Sequence, residues 1–389
     1  LQQALEGSQA IAKTVAQCRP QVVAAYPITP QTHIVENISK LIADGVLDCE
    51  MVSVESEFSA ASVVLGAVAA GSRSYTATSS QGLLLMAEVL YNIAGMRLPM
   101  VLTCANRAVS APISIWNDHQ DSMAVRDAGW IQLYCSSNQE AVDTTVQAFR
   151  ISERTELPVM VCVDGFTLTH TLEIIDLPEQ KQVDAFLPSF HFSRTLDPQQ
   201  PITLGTLVTP DYFTEIRHAH HRAMLKAADE IVAADKDWQA ISGRASGGLI
   251  REEGAKHADT AILAIGSVLG TLREAMAQYE GEKIKLLTLR CFRPFPEDEL
   301  RRMCKGVKKL IVLERALSPG AGGIIGAEVR AALSRMAQPP EVYNYAAGLG
   351  GRDMPLDLLE RILKASSKPA RDAFSIFDVQ LQKLPAGER

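Results

Sequence analysis

Six short apolar runs, each followed by a stretch long enough for a crossover, constrain this chain more than any other feature. Residues 22–25, 51–54, 74–77, 100–104, 131–135 and 159–163 are rich in Val, Ile and Leu and read as buried strands. Helical segments are predicted between them at 31–43, 58–70, 83–94 and 139–153. A strand that is apolar on both sides needs cover on both faces, and helical crossovers supply it. The pattern therefore predicts an α/β fold on a doubly wound parallel sheet. Gly45, Gly71 and Gly95 stand where three of the helices would stop.

The alternation returns later in the chain. Residues 261–265, 284–289 and 310–313 are predicted strands, with 341–345 a last one; 271–279, 296–305 and 324–336 are predicted helices. Between the two halves the pattern dissolves from 176 to 210, where Pro178, Pro188, Pro198, Pro201 and Pro210 punctuate an extended stretch. Residues 211–238 follow as a long helix, and residues beyond 364 read as a short tail. Two doubly wound units are expected, 1–250 carrying the linker and long helix, and 251–389.

Composition removes several function classes. The 389 residues carry a net charge of −7 with no basic block, so the positive field that nucleic-acid binding requires is missing. The longest strongly apolar stretch, 63–71, falls far short of the ~20 residues that span a bilayer. The residues up to Pro20 lack a signal-peptide apolar core, so a cytoplasmic protein without nucleic-acid or membrane partners is expected. The seven cysteines include no C-x-x-C pair, which excludes a cysteine-ligated zinc site, cluster or dithiol centre of that kind in this chain. No metal-ligating set is expected: of His218, His220 and His221, only the first and third share a helix face, and no carboxylate completes them.

Nucleotide fingerprints are weak. Gly320-Ala321-Gly322-Gly323-Ile324-Ile325-Gly326 follows a predicted strand, but Ile325 occupies the sixth place, where the dinucleotide motif needs glycine. A glycine turn at a helix N-terminus is the better reading.

Three places fall where such sheets hold ligands, at the carboxyl ends of strands. Tyr26-Pro27-Ile28-Thr29-Pro30 presents a hydroxyl in a turn stiffened by two prolines. Glu55-Ser56-Glu57 opens a helix rich in Ala and Gly; acidic residues there stabilise the helix dipole, yet a carboxylate at a tightly packed end is costly without a partner. Residues 105–123 form a long polar and aromatic loop with Arg107 at its mouth, placed to clamp a carboxylate or to pair with Asp118 or Asp121.

With those residues in view, the chain resembles the α subunit of the 2-oxoacid:ferredoxin oxidoreductases, most of all the pyruvate enzymes. The resemblance rests on Tyr26 to Pro30, Glu55 to Glu57 with Ala60-Ala61, Ser80-Gln81-Gly82-Leu83, Asn106-Arg107-Ala108, Trp116 to Met123 and Asp164-Gly165-Phe166. It resumes at Gly266, Arg293-Pro294-Phe295 and Gly348-Leu349-Gly350. It implies a pyrimidine-binding module for thiamine diphosphate followed by a transketolase-C-terminal-like domain. Oxidative decarboxylation of pyruvate is implied, with coenzyme A taking the acyl group and electrons passing to ferredoxin. By the same resemblance Glu57 contacts the aminopyrimidine, Thr29 lies near the substrate and Arg107 binds it. Tyr26, Pro27, Ile28 and Gln81 adjoin the cofactor, and Asn117, Asp118, His119 and Asp121 belong to a loop near the site. Phe58 departs from the family pattern, which carries a smaller or more polar residue there.

The case for Glu57 also has a physical side. A carboxylate hydrogen-bonded to the pyrimidine nitrogen favours the imino tautomer that takes the thiazolium proton. The chain lacks the Gly-Asp-Gly motif that grips a diphosphate through Mg²⁺, since Val163 precedes Asp164-Gly165. The implied partners are therefore a β chain with the diphosphate, Mg²⁺ and a [4Fe-4S] cluster, and γ and ferredoxin-like δ chains or equivalent domains. Arg107 as the one cation in those three segments disfavours a dicarboxylate such as 2-oxoglutarate. The alternatives are a branched-chain 2-oxoacid enzyme of the same family, the β chain of a lipoate-linked dehydrogenase, and a non-catalytic scaffold chain.

Overall fold

The computed structural model describes residues 2–279, 281–369 and 372–389. Its larger sheet runs Cys291–Arg293, Ile131–Tyr134, Val159–Asp164, Val101–Asn106, Ser74–Thr78, Val22–Ala24, Glu50–Val52. All neighbours pair in parallel except the first two. The smaller sheet runs Ser375–Ile376, Glu341–Ala346, Lys309–Glu314, Thr260–Ala264, Ile284–Leu289, Ile250–Gly254, again parallel except at one edge, where Ile250–Gly254 joins antiparallel. A separate antiparallel ribbon pairs Gln2–Glu6 with Leu172–Asp176.

Period-two alternation divides the strand side chains between cores. In the larger sheet Leu102 and Cys104 face one cluster while Val101 and Ala105 face another. In the smaller sheet Ile262 and Ala264 point to a third cluster, whereas Ala261 and Leu263 join the one that holds Leu102. One apolar core is thus shared by both sheets. The strand Cys291–Arg293 tightens the join further, because it lies beyond residue 250 yet completes the edge of the larger sheet.

Several expected elements are altered in ways the physics explains. The expected helix 83–94 is two, Ser80–Leu85 and Ala87–Gly95. Gly45 (φ 71°) and Gly71 (φ 95°) do terminate their helices in the left-handed region, but Gly95 is still helical. Arg97 takes the left-handed position instead (φ 56°), its guanidinium donating to the carbonyls of Thr155 and Glu156 at 2.6 and 3.2 Å. The stretch after 176 contains one short helix, Gln180–Phe186. The long helix is Pro210–Ser242; its Ala227, Ile231 and Trp238 are buried, and the Trp238 indole donates to Asp143 at 2.8 Å. The expected tail contributes the edge strand Ser375–Ile376, and Asp378 accepts a hydrogen bond from Gly348 N–H at 2.9 Å.

Candidate functional site: a crevice at the strand ends

The strands Val22–Ala24 and Ser74–Thr78 are parallel neighbours from which the chain departs in opposite directions. The first leads outward to Glu50–Val52, the second inward to Val101–Asn106. The gap between diverging connections at the carboxyl ends of such strands is where this architecture binds ligands. Tyr26 to Pro30 follow the first strand, Ser79 to Gly82 follow the second, and Arg107 follows Val101–Asn106. The helix Glu57–Ala69 begins beside them.

Glu57 is the first residue of that helix and is 7% exposed. The capping work is done by others: the Ser56 hydroxyl accepts from Ser59 N–H at 3.2 Å, and the Ser59 hydroxyl bonds the Glu55 carboxylate. Among the described residues the Glu57 carboxylate has no hydrogen-bond partner, although burial of an unpaired carboxylate is expensive. It lies over Gly82, where a Cβ would come 2.6 Å from both Glu57 Oε1 and Thr78 Oγ1. Thr78 Oγ1 is itself buried without a partner. A carboxylate and a hydroxyl thus converge, unsatisfied, on a position kept clear by a glycine. Phe58 points outward at 40% exposure and so leaves this packing undisturbed.

Thr29 and Arg107 are brought together. Arg107 Nη1 donates to the Thr29 carbonyl at 2.9 Å and Nε to the Ser114 carbonyl at 3.0 Å. Neither Asp118 nor Asp121 pairs with the guanidinium: Asp121 accepts the backbone N–H of Arg107 at 3.0 Å instead. Thr29, Tyr26 and Pro27 are exposed, Ile28 is half-buried, and the turn is pinned from beneath by Gln31, which donates to the Ala77 carbonyl at 2.6 Å. Asp121 also accepts from Ser80 N–H (2.9 Å), Asn106 Nδ2 (2.8 Å) and Ser122 N–H (2.8 Å). Burial raises its carboxyl above the usual range, opposed by these donors. Ser80, held in the left-handed region (φ 49°), sets the direction of Gln81, whose amide bonds the Ser110 hydroxyl of the long loop. Asp121 is therefore the knot joining the Gln81 turn to the Arg107 turn.

The rest of the loop turns toward the second unit. Asp118 accepts from Gly350 N–H at 3.1 Å, and burial raises its carboxyl. His119 Nε2 lies 2.7 Å from Asp164 Oδ1, and Asp164 also accepts from Arg315 Nη1 at 3.0 Å and Ser267 Oγ at 2.5 Å. Burial opposes ionisation of Asp164, but His119, Arg315 and Ser267 outweigh it and hold the carboxyl well below the usual aspartate range. Asn117 is buried with both amide atoms unpartnered. Gln31, Asn106, Asp164, Ser267 and Arg315 were not singled out as site residues by the sequence reading. Asn106 and Asp164 stand within motifs of the resemblance; for Gln31, Ser267 and Arg315, no local pattern marks a residue whose partners lie far along the chain.

The glycine turn at Gly320 to Gly326 already holds an anion. Glu314, at the end of its strand, accepts from the backbone N–H groups of Ile324, Ile325 and Gly326 at 2.9, 2.9 and 3.2 Å, and from Asn344 Nδ2 at 2.6 Å. A carboxylate fills the helix N-terminus where a phosphate would otherwise sit. The histidine trio is equally inert: His218 and His221 are exposed, while His220 is buried against the Gly129 carbonyl at 3.4 Å. All seven cysteines are free, six of them buried.

Comparison with known proteins agrees with this geometry. Residues 13–236 match the family described as pyruvate flavodoxin/ferredoxin oxidoreductase, thiamine diphosphate-binding, and residues 258–359 match pyruvate:ferredoxin oxidoreductase core domain II. The chain is 46% identical to pyruvate synthase subunit PorA of Methanosarcina barkeri, covering 96% of this chain and 94% of that one. It is 43% identical to the PorA subunit of Methanothermobacter thermautotrophicus, over 94% and 96% of the two chains. Ketoisovalerate oxidoreductase subunit VorA of Pyrococcus abyssi is 40% identical, over 95% and 94%. In fold, the chain is similar to the 2-oxoglutarate:ferredoxin oxidoreductase of Magnetococcus marinus, with TM-score 0.69 at 20% identity, covering 94% of this chain and 65% of that one. A split-gene transketolase aligns at TM-score 0.53 and 14% identity, over 92% and 93%. On the strength of near full-length identity to the PorA subunits and of both domain matches, the chain belongs to the α-subunit family of the 2-oxoacid:ferredoxin oxidoreductases.

Proposed function

We infer that this chain is the α subunit of an assembly that oxidatively decarboxylates pyruvate, transfers the acetyl group to coenzyme A and delivers the electrons to ferredoxin. The observation that carries the reading is Glu57: a buried residue at the strand ends whose carboxylate has no partner among the described residues and packs directly on Gly82 beside the unpartnered Thr78 hydroxyl. The aminopyrimidine end of thiamine diphosphate fits that donor set, since it offers a ring nitrogen to a carboxylate, and glycine at position 82 lets the Glu57 carboxylate lie where a side chain there would displace it. When bound, thiamine diphosphate supplies a nucleophilic carbon and a sink for the electrons left behind by CO2. Glu57 would hydrogen-bond the pyrimidine ring nitrogen through its carboxylate. Arg107 pairs with the substrate carboxylate, and Thr29, fixed by the same guanidinium, presents its hydroxyl to charge developing nearby. Tyr26, Pro27, Ile28 and Gln81 line the cofactor side. Asp121 positions Gln81 and Arg107, while Asn117, Asp118 and His119 set the loop against the second unit.

Mg²⁺, the diphosphate grip and the [4Fe-4S] clusters are assigned to partner chains: a β chain, and γ and δ chains or equivalent domains. Exposed apolar residues flank the site in the chain, with Tyr26 at 39%, Leu85 at 51%, Ile113 at 75% and Trp116 at 52% exposure. They supply the surface a β chain would cover. No helix among the described residues is long and apolar enough to cross a membrane, and we assign the assembly to the cytoplasm. The test is a substrate panel on the assembled complex with a low-potential dye as acceptor. Pyruvate should give the highest kcat/KM, 2-oxobutyrate a lower one, since one methylene is worth ~1–3 kcal/mol in discrimination. First rank for 2-oxoisovalerate would move the chain to the VorA type; dependence on lipoyl domain and NAD would overturn the ferredoxin reading.

A further inference from the structure

Outside the crevice, the fold assembles three ligand-type side chains from distant parts of the chain. Glu6 ends the strand Gln2–Glu6, His33 lies in the first turn of the helix Thr32–Ala43, and His170 lies in the turn before the strand Leu172–Asp176. Glu6 Oε1 and His33 Nδ1 are 2.7 Å apart, and one donor atom from each of the three residues falls within 4.8 Å of the others. The imidazoles of His33 and His170 face each other with centroids 4.6 Å apart. His170 is held from behind: its Nδ1 lies 2.8 Å from the Thr169 hydroxyl, which accepts the Phe166 N–H at 2.9 Å, leaving Nε2 as the free ring nitrogen. That is the outer-sphere support that fixes the ring orientation of a metal-bound histidine. Phe166 then stacks on His170 at 4.7 Å and on Trp116 at 4.6 Å, so the other side of the ring is packed.

We propose that Glu6, His33 and His170 form a binding site for one divalent transition ion of the zinc class, with water completing the coordination. Two neutral imidazoles and one carboxylate are the donor set such ions prefer; donors each ~2.0–2.2 Å from one ion stand ~3–3.6 Å apart, so the Glu6–His33 pair, hydrogen-bonded at 2.7 Å without metal, opens slightly to take the ion. All three side chains are partly exposed, so the site has an entry path. Its role is a clamp. The ion ties the N-terminal ribbon and the turn after Asp164 to the start of the helix that follows Thr29, four residues before His33, and so stiffens the wall of the crevice without touching the chemistry.

The site is independent of the substrate assignment, and its test does not use activity. The full chain is titrated with Co²⁺, and Zn²⁺ is then added as competitor. The expected result is one equivalent of Co²⁺ with weak visible d–d bands, no intense thiolate charge-transfer band, displacement by Zn²⁺, and a raised melting temperature with either ion. His33→Ala and His170→Ala should each weaken binding at least tenfold, and Glu6→Gln by a similar or smaller factor. His33→Gln, which keeps a polar partner for Glu6, should melt like the parent without metal but lose the metal-induced shift. Binding that persists unchanged in the His33→Ala/His170→Ala double variant, a thiolate band, or no uptake above that of a metal-free control would overturn the proposal.

Discussion

Two buried glutamates stand at helix N-termini, one in each half of the molecule, and they are used in opposite ways. Glu314 is saturated, taking three backbone N–H groups and the Asn344 amide. Among the described residues Glu57 takes none, and the Thr78 hydroxyl beside it is equally unpartnered. In the second half a carboxylate satisfies a helix N-terminus; in the first that task falls to Ser56, and the neighbouring carboxylate takes no part in it. The second unit fills that helix N-terminus with a side chain of its own. The contrast sets a carboxylate whose hydrogen bonds are all internal apart from the one proposed to meet the cofactor.

The sharpest way to break the contrast is Glu57→Gln. The amide keeps the shape and removes only the carboxylate, so the chain should fold with unchanged stability while the complex loses turnover by ~10²–10⁴. Near-normal turnover would erase the difference between the two glutamates. Glu314→Ala should do the reverse. Leaving a helix N-terminus and Asn344 unsatisfied should cost about 2–4 kcal/mol in denaturant unfolding, with turnover per folded complex retained. A fall in turnover at full stability would mean that the second site is chemical after all.

Arg107→Ala refines the open site. A charge-assisted pair with the substrate carboxylate is worth roughly 1.5–3 kcal/mol, so KM for pyruvate should rise ten- to hundredfold with a smaller change in kcat. A fall in kcat alone would assign Arg107 to holding the Thr29 turn, through the 2.9 Å bond already in place. The smallest effect lies at the join between the halves. The folded pKa of Asp164 is depressed, so the folded state gains from its ionised form above the unfolded aspartate value of ~3.9 and loses that gain as pH falls toward the folded one. Acid unfolding should show this slope, at most ~1.4 kcal/mol per pH unit for one group, and Asp164→Asn should flatten it. An unchanged slope would place the acid sensitivity elsewhere.

What could be read from the sequence followed the strength of the local signal. The strands 101–106 and 159–164 are buried along their whole length, and their apolar runs announce them. Glu57, Thr29 and Arg107 stand out in the sequence because each follows a predicted strand, and the structure brings Arg107 to the Thr29 carbonyl. The strands at sheet edges, Cys291–Arg293 and Ser375–Ile376, are two or three residues long and carry no periodicity, so nothing local marks them. The break at Met86 and the left-handed Arg97 are decided by tertiary contacts rather than by propensity. The Glu6, His33 and His170 cluster escaped for the same reason: His170 lies far along the chain from the other two, and the pairing of Gln2–Glu6 with Leu172–Asp176 brings it beside Glu6.

The short strand Cys291–Arg293 has a consequence for synthesis. Until it arrives, the ribbon at Ile131–Tyr134 is an unpaired sheet edge, the kind of surface that other chains add to. At ~5–20 residues per second the ribosome needs on the order of ten to thirty seconds to deliver it after that ribbon has emerged. A nascent chain of this protein therefore spends that interval with its first sheet open on one side. A fragment ending near residue 250 would remain so permanently, and self-association of that fragment, absent from the full chain, is the expected result.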